Sequence, residues 1–333
     1  MGKRIYNIAI IGAGPGGLSA GLNLLKNGIK DVVIIEKKKE IGSPLRCGEL
    51  TRDKFWEEAG IEYDSSFIRT KYKGVGSRKS FVISRNIFEK KMAEEFIIRG
   101  GDLLLHSFAK DVRISNKGVE IIVEREERER IVHSKGLICA DGVEAFVPRK
   151  LGFPIKRSTS NFGVCYAAEI VDPVVSKNPS IGLKIIDKYP LAFWVFPYSD
   201  NVSNVGIGIQ GKFGNDVREL FNKFLQKHLS IEKPKIINEI VGVVPITTPL
   251  DPPYKDRVIV VGTSAGLIYA TTGEGIIFAL RSGRWAAEVF AEAVHKNDFS
   301  INTLKKYRVF IADMIKDFKQ TYEKMIMFIS QEV

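Results

Sequence analysis

Residues 7–36 constrain this chain more than any other stretch. Asn7-Ile8-Ala9-Ile10-Ile11 is an apolar run of strand length, and Gly12-Ala13-Gly14-Pro15-Gly16-Gly17 is a glycine turn. An apolar helical segment follows, then Val32-Val33-Ile34-Ile35, a second apolar run that ends on Glu36. Strand, glycine turn, helix and strand in this order predict the first βαβ unit of a parallel sheet that binds a dinucleotide. Gly12 permits the tight turn, Gly14 lets the backbone approach a pyrophosphate, and Gly17 lets the helix pack closely. The free N–H groups at the helix start face the phosphates. Glu36 falls about 20 residues past the turn, where an acid binds a ribose hydroxyl in such units.

With 333 residues the chain has room for about two domains. Its net charge of +11 favours an anionic partner. The charge is dispersed and forms no basic tail, so a phosphorylated or lipid partner is expected and nucleic acid is not. No apolar run is long enough to span a bilayer. The first strand starts almost at once, so no signal peptide is expected. A cytoplasmic protein with a peripheral contact at the inner membrane face is the expectation. Cys47, Cys139 and Cys165 lack metal-ligand spacing, and His106, His133, His228 and His295 are scattered. Neither a disulfide framework, a metal site nor a catalytic triad is expected from them.

Further along, helices are expected near 53–60, from Arg85 to about residue 99, over 214–228, over 275–295 and over 303–329. Residues 72–84 read as strands interrupted by Gly74 and Gly76. A meander is expected over 110–134, with a solvated tip at 124–130 and separate strands at 131–133 and 136–140. Strand-like segments at 161–170, 181–187, 191–197 and 204–210 mark a change of texture. They predict an antiparallel sheet inserted before Arg257-Val258-Ile259-Val260-Val261-Gly262 resumes the first domain. The fold class is α/β. A discontinuous Rossmann-type domain covers 1–150 and 255–300, an antiparallel-sheet domain covers 151–254, and a C-terminal helix covers 301–333. In that tail Leu304, Tyr307, Ile311, Met314, Ile315, Phe318, Tyr322, Met325, Ile326 and Ile329 share one face. The face predicts packing on the body; a substrate-tunnel wall or a membrane contact would use the same pattern.

Four segments stand in a telling order: Gly12–Gly17 with Glu36, Arg46-Cys47-Gly48-Glu49, Ala140-Asp141-Gly142, and Gly262-Thr263-Ser264-Ala265-Gly266 with Thr272-Gly273-Glu274-Gly275-Ile276. Together they resemble the FAD-dependent geranylgeranyl reductase family, flavoproteins of the p-hydroxybenzoate hydroxylase architecture. Phe193-Trp194-Val195-Phe196-Pro197 resembles an aromatic strand of those reductases, with Phe193 where tyrosine is usual. The resemblance implies that Gly12, Ala13, Gly14, Pro15 and Gly17 serve the FAD pyrophosphate and that Glu36 binds the adenosine ribose. It implies that Arg85 reaches the FAD, that the Ala109 backbone meets the adenine, and that Asp141 and Gly142 lie near the pyrophosphate. Arg46, Cys47 and Gly48 would border the flavin ring, and the N–H groups at Gly275 and Ile276 would face it. Gly262 and Thr263 take the ribityl position, where the family normally carries Gly-Asp.

The implied function is a FAD-dependent oxidoreductase that saturates C=C bonds of a geranylgeranyl or other isoprenoid lipid. An external donor, NAD(P)H or ferredoxin-like, would supply the electrons. Phe193, Trp194 and Phe196 are the expected cavity lining, and Cys47 is the candidate catalytic residue. Two other readings keep the fold. One is flavin-dependent hydroxylation of an aromatic, against which Gly266 argues because those enzymes often carry histidine there. The other is a flavin-binding carrier of electrons or isoprenoid lipid without turnover.

Overall fold

A computed structural model describes residues 4–73, 79–187 and 189–330. Its first layer is an eight-stranded sheet. The order runs Tyr254–Lys255, Val258–Val260, Arg128–Cys139, Ile5–Ile11, Val32–Ile35, Asp102–Leu104. Every pairing from Val258–Val260 to Asp102–Leu104 is parallel. The hairpin Phe108–Ser115 and Gly118–Arg125 leaves the path antiparallel to Arg128–Cys139. Ile8, Ile10, Val32 and Ile34 are fully buried, as central parallel strands covered on both faces require.

The registers place the site. Ile11 pairs with both Ile35 and Cys139, and Cys139 pairs with Val260. Gly12, Glu36, Ala140 and Val261 therefore leave the sheet side by side at its carboxyl edge, where ligands bind in open α/β sheets. Helices Pro15–Lys26 and Ile276–Lys296 pack against each other above this edge. A Cβ on Gly283 would overlap the Gly16 carbonyl oxygen, so these backbones touch. The Ser19 hydroxyl donates to the Leu280 carbonyl at 2.7 Å across the same contact.

The second layer is a five-stranded antiparallel sheet, in the order Ser180–Ile186, Tyr189–Pro197, Val202–Gln210, Phe162–Val171, Ile236–Pro245. Strand alternation gives it two unlike faces. One carries Tyr166, Ile207 and Ile209, packed on Phe221 and Phe224 of helix Val217–Leu229. The other carries Gly163, Cys165, Ala167 and Gly208 and turns toward the loops of the first sheet. Small side chains there leave a hollow.

A three-stranded sheet, Leu50–Arg52, Lys79–Ile83 and Ile68–Lys73, joins the two layers. Its strands Ile68–Lys73 and Lys79–Ile83 fall at the stretch expected at 72–84, the first beginning earlier, and Gly74 and Gly76 lie outside the described residues. The short segments expected at 131–133 and 136–140 form one strand, Arg128–Cys139, because pairing continues on both sides of it. Strand Ile236–Pro245 had no expectation. It is an edge strand with Ile237, Val241 and Val243 exposed, so it lacks a one-sided apolar pattern.

The C-terminal helix Lys306–Ser330 buries Tyr307, Ile311, Met314, Ile315 and Phe318 in the main core. Ile326 and Met327 stay exposed. No helix among the described residues is long and apolar enough to cross a membrane.

Candidate active site

Two hollows lie along the carboxyl edge. The first is a cleft of about 350 Å³ bordered by Gly12, Gly14, Glu36, Ala109, Asp141 and Gly142. Gly12 has φ +100°, which glycine adopts without strain. A Cβ on Gly17 would overlap the Gly12 carbonyl oxygen, whereas a Cβ on Gly14 would meet nothing within 4 Å. The first glycine closes the turn, the last seats the helix, and the middle one keeps the floor of the cleft open. No side chain caps the helix at Gly14, with Pro15 in the first turn, so its N–H groups are left for an anion.

Glu36 closes the loop from the far side. Its carboxylate is buried and accepts from the Ala13 N–H at 2.7 Å and the Lys38 N–H at 2.9 Å. The sequence assigned it to a ribose; the structure adds that it holds the turn in shape. Asp141 borders the cleft but turns its oxygens inward, to the Val147 N–H at 2.8 Å and the Ser264 hydroxyl at 3.0 Å. Burial pushes its carboxyl up, against the pull of those donors. Gly262 and half-buried Thr263 lie at the end of Val258–Val260, next to this turn, and line neither hollow.

The second hollow, of about 160 Å³, lies under the antiparallel sheet. Arg46 borders both hollows. The apolar wall includes Trp194, Phe196 and Ile246, with Met325, Phe328 and Ile329 from the C-terminal helix. The opposite side is made of Cys47, Gly48 and the loop from Ala270 to Ile276. Helix Ile276–Lys296 starts here from Gly275 with no side-chain cap, so a second set of free N–H groups opens into a hollow. Arg52 braces that loop through a 2.7 Å bond from its Nη2 to the Glu274 carboxylate. The Tyr269 hydroxyl beside it bonds to Asp317 of the C-terminal helix.

Phe193 is a correction to the expected lining. Strand alternation turns it to the opposite face, where its ring packs 5.3 Å from Phe224, while Trp194 and Phe196 face the hollow. Arg85 also differs from its expected place. Its Nε donates to Glu89 at 2.7 Å, and its guanidinium stands beside the Cys47 thiol rather than in the wall of the nucleotide cleft. Burial alone would lower its pKa; Glu89 and Cys47 outweigh this and raise it. The Cys47 sulfur accepts from the Glu49 N–H at 3.2 Å. Cys165, on the sheet above, is half-buried in the wall of the hollow, and desolvation there pushes its thiol up to about 12.

Glu49 was quoted in the loop but given no role. Its side chain is fully buried, and its backbone sits at φ +66°. It accepts from the Arg85 N–H at 2.7 Å and faces Arg69 at 3.0 Å. Burial raises its pKa, against Tyr198, Arg69 and Arg85, which lower it. An acid after a glycine in a polar loop carries no mark in sequence that it will be buried.

The cleft fits a dinucleotide on the chain's own features: an open floor at Gly14, an uncapped helix start and a buried acid beside it. The adjoining uncapped start at Gly275 fits the electron-rich end of a flavin ring. These features define a FAD-dependent oxidoreductase with a Rossmann-type core. A family model for an FAD binding domain matches residues 7–49, and one for the geranylgeranyl reductase catalytic domain matches residues 192–244. The chain is 32% identical to digeranylgeranylglycerophospholipid reductase 2 of Methanococcoides burtonii, over 92% of this chain and 79% of that protein. It is 30% identical to the digeranylgeranylglycerophospholipid reductase of Thermoplasma acidophilum, over 92% of this chain and 83% of that protein. A crystal structure of a geranylgeranyl bacteriochlorophyll reductase-like protein from Thermoplasma acidophilum superposes with a TM-score of 0.85 at 26% identity. That match covers all of this chain (100%) and 93% of the other. The flavin-dependent brominase Bmp2 shares the fold, with a TM-score of 0.74 at 18% identity over 98% of this chain and 90% of that one. The chain belongs to the geranylgeranyl reductase family.

Proposed function

We propose that this protein saturates C=C bonds of a geranylgeranyl-type lipid, with FAD in the cleft and the polyprenyl chain in the apolar hollow. The observation that carries this reading is the apolar hollow that meets the nucleotide cleft at Arg46. FAD held there and reduced by an external donor would supply the hydride for one alkene carbon. The chain's residues do the rest. Trp194 and Phe196 exclude water and align the isoprenoid units. Gly12, Gly14 and the open N–H groups of the first helix hold the pyrophosphate. Cys47 places a proton in the cavity wall for the second alkene carbon, and water returns a proton to its sulfur afterwards.

Electrons come from an external donor, of the nicotinamide or ferredoxin type. The exposed side chains of Ile326 and Met327 adjoin Met325, Phe328 and Ile329 of the cavity wall, with Lys324 alongside. This end of the helix rests on an anionic membrane surface, from which the lipid enters. The domain division at 151–254 puts the cavity roof in one unit and the cofactor cleft in the other.

Product analysis tests the reading. Dithionite-reduced protein incubated without oxygen with a digeranylgeranyl phospholipid should yield lipid carrying two added hydrogens per reduced double bond. Unchanged lipid in the presence of bound, reduced FAD would reject it. Replacing Ile326 and Met327 together by glutamate should release the protein from anionic vesicles; retained sedimentation would reject the membrane contact.

A further inference from the structure

A chain of buried polar groups runs from the Cys47 loop to Trp194 of the cavity wall, and the proposed chemistry gives Glu49, Arg69, Tyr198 and Asn204 no role. It starts at Glu49, whose Oε1 takes the Arg85 N–H at 2.7 Å. The Arg69 Nε lies 3.0 Å from Oε2, and the Arg69 guanidinium covers the Tyr198 ring at 4.0 Å. The Tyr198 phenol faces the Glu49 carboxylate and accepts from the Asn204 Nδ2 at 3.0 Å. The Asn204 Oδ1 then accepts from the Trp194 Nε1 at 2.6 Å. Asn204 is itself fully buried, and Trp194 lines the hollow.

This arrangement is costly. Glu49 sits in the left-handed region, which a side chain other than glycine rarely adopts. Its Oε2 and the Arg69 Nε are ion-paired yet make no hydrogen bond that satisfies either atom. A buried ion pair is weak evidence for stability, since apolar residues of the same shape often serve as well. The geometry instead links two walls of one cavity. Gly48, next to Glu49, has room for no side chain: a Cβ there would lie 3.0 Å from both Phe196 and the Trp194 Nε1. The cysteine loop and the aromatic strand are in contact at Gly48 and tied by polar bonds behind it.

We propose that Glu49, Tyr198 and Asn204 are positioning residues that fix the Trp194 indole in the cavity wall in register with the Cys47 loop. They set how the isoprenoid chain lies over the reacting end of the site. An indole without its Nε1 acceptor is free to rotate about its side-chain bonds into the hollow, narrowing it. This inference rests on the lipid-reductase reading, and its test separates the two.

The test is a double-mutant cycle with Tyr198→Phe and Trp194→Phe in the FAD-loaded protein, using the digeranylgeranyl phospholipid as substrate. Tyr198→Phe removes the oxygen between Glu49 and Asn204. It should raise KM for the lipid by about fivefold, the worth of about one hydrogen bond, with kcat within about twofold. The visible flavin spectrum and FAD affinity should not change. In the Trp194→Phe background, which has no indole N–H to hold, the same change should have no further effect. Asn204→Ser cuts the path one bond later and should reproduce the result if Tyr198→Phe folds poorly. An equal KM effect in both backgrounds would overturn the proposal, as would a Tyr198→Phe protein that matches the parent. Loss of FAD from Tyr198→Phe would place the residue in cofactor binding instead and also overturn it. A parent protein that does not turn over the lipid at all rejects the reductase reading itself.

Discussion

The two hollows along the sheet edge are built in opposite ways. The nucleotide cleft is floored by backbone: a glycine turn, an uncapped helix start and one buried acid from residues 12–36, closed by the turns around Ala109 and Asp141. The lipid cavity is made of side chains from the Cys47 loop, all five strands of the antiparallel sheet, the loop before Gly275 and the far end of the C-terminal helix. The contrast teaches where specificity resides. A backbone cradle for phosphates tolerates almost any surroundings and few changes within it. A side-chain cavity accepts substitutions singly and is redefined by them together.

Gly17→Ala probes the cradle where it is least forgiving. The added methyl would overlap the Gly12 carbonyl oxygen, a backbone atom that cannot move alone. A cost of about 4 kcal/mol or more is expected, as for other severe core clashes. The protein should be purified colourless or aggregate; a yellow Gly17→Ala protein with normal FAD content would break the account of the turn. Glu36→Ala should be the next largest change. It strips the Ala13 and Lys38 N–H groups of their buried acceptor. FAD affinity measured by fluorescence titration should fall by about 10- to 100-fold, from about 1–3 kcal/mol.

Trp194 and Phe193 break or sharpen the contrast on the cavity side. Trp194→Ala should raise the lipid KM by about tenfold and leave FAD binding intact, since it removes a wall and touches no cofactor contact. Phe193→Leu should lower stability by about 1 kcal/mol through its packing on Phe224 and leave the lipid KM within about twofold. Equal effects of both on KM would mean that the strand faces are misassigned.

The smallest expected effect concerns thiol reactivity. Burial holds the Cys165 thiol at about 12 and the Cys139 thiol well above its ordinary value. A thiol is reactive only as thiolate, so a thiol with a raised pKa reacts slowly at pH 8. Iodoacetamide at pH 8 followed by peptide mass spectrometry should therefore label Cys165, half-buried like Cys47, only slowly and spare the buried Cys139. Rapid labelling of Cys139 would contradict its burial.

The same contrast explains what could be read from the sequence. The cradle was legible because each of its requirements lies within one local stretch and is met by a residue type with no substitute, such as Gly12 at φ +100°. The α/β class and the antiparallel insertion followed from apolar runs and alternation. Phe193 was misplaced because a resemblance names a strand, whereas alternation decides which of its side chains face the cavity. Strand Ile236–Pro245 was missed because an edge with exposed Val241 and Val243 shows no single apolar face. Glu49 was missed as a site residue because its importance arises from Arg69, Tyr198 and Arg85, which only the fold brings to it.

Anaerobic reoxidation of the reduced flavin tests the central claim most directly. Protein reduced with one equivalent of dithionite is mixed without oxygen with digeranylgeranyl phospholipid, or with the fully saturated lipid as a control. The account predicts return of the oxidised flavin absorbance with the unsaturated lipid and none with the saturated one. A flavin that stays reduced with both lipids and reoxidises only when oxygen is admitted would contradict it.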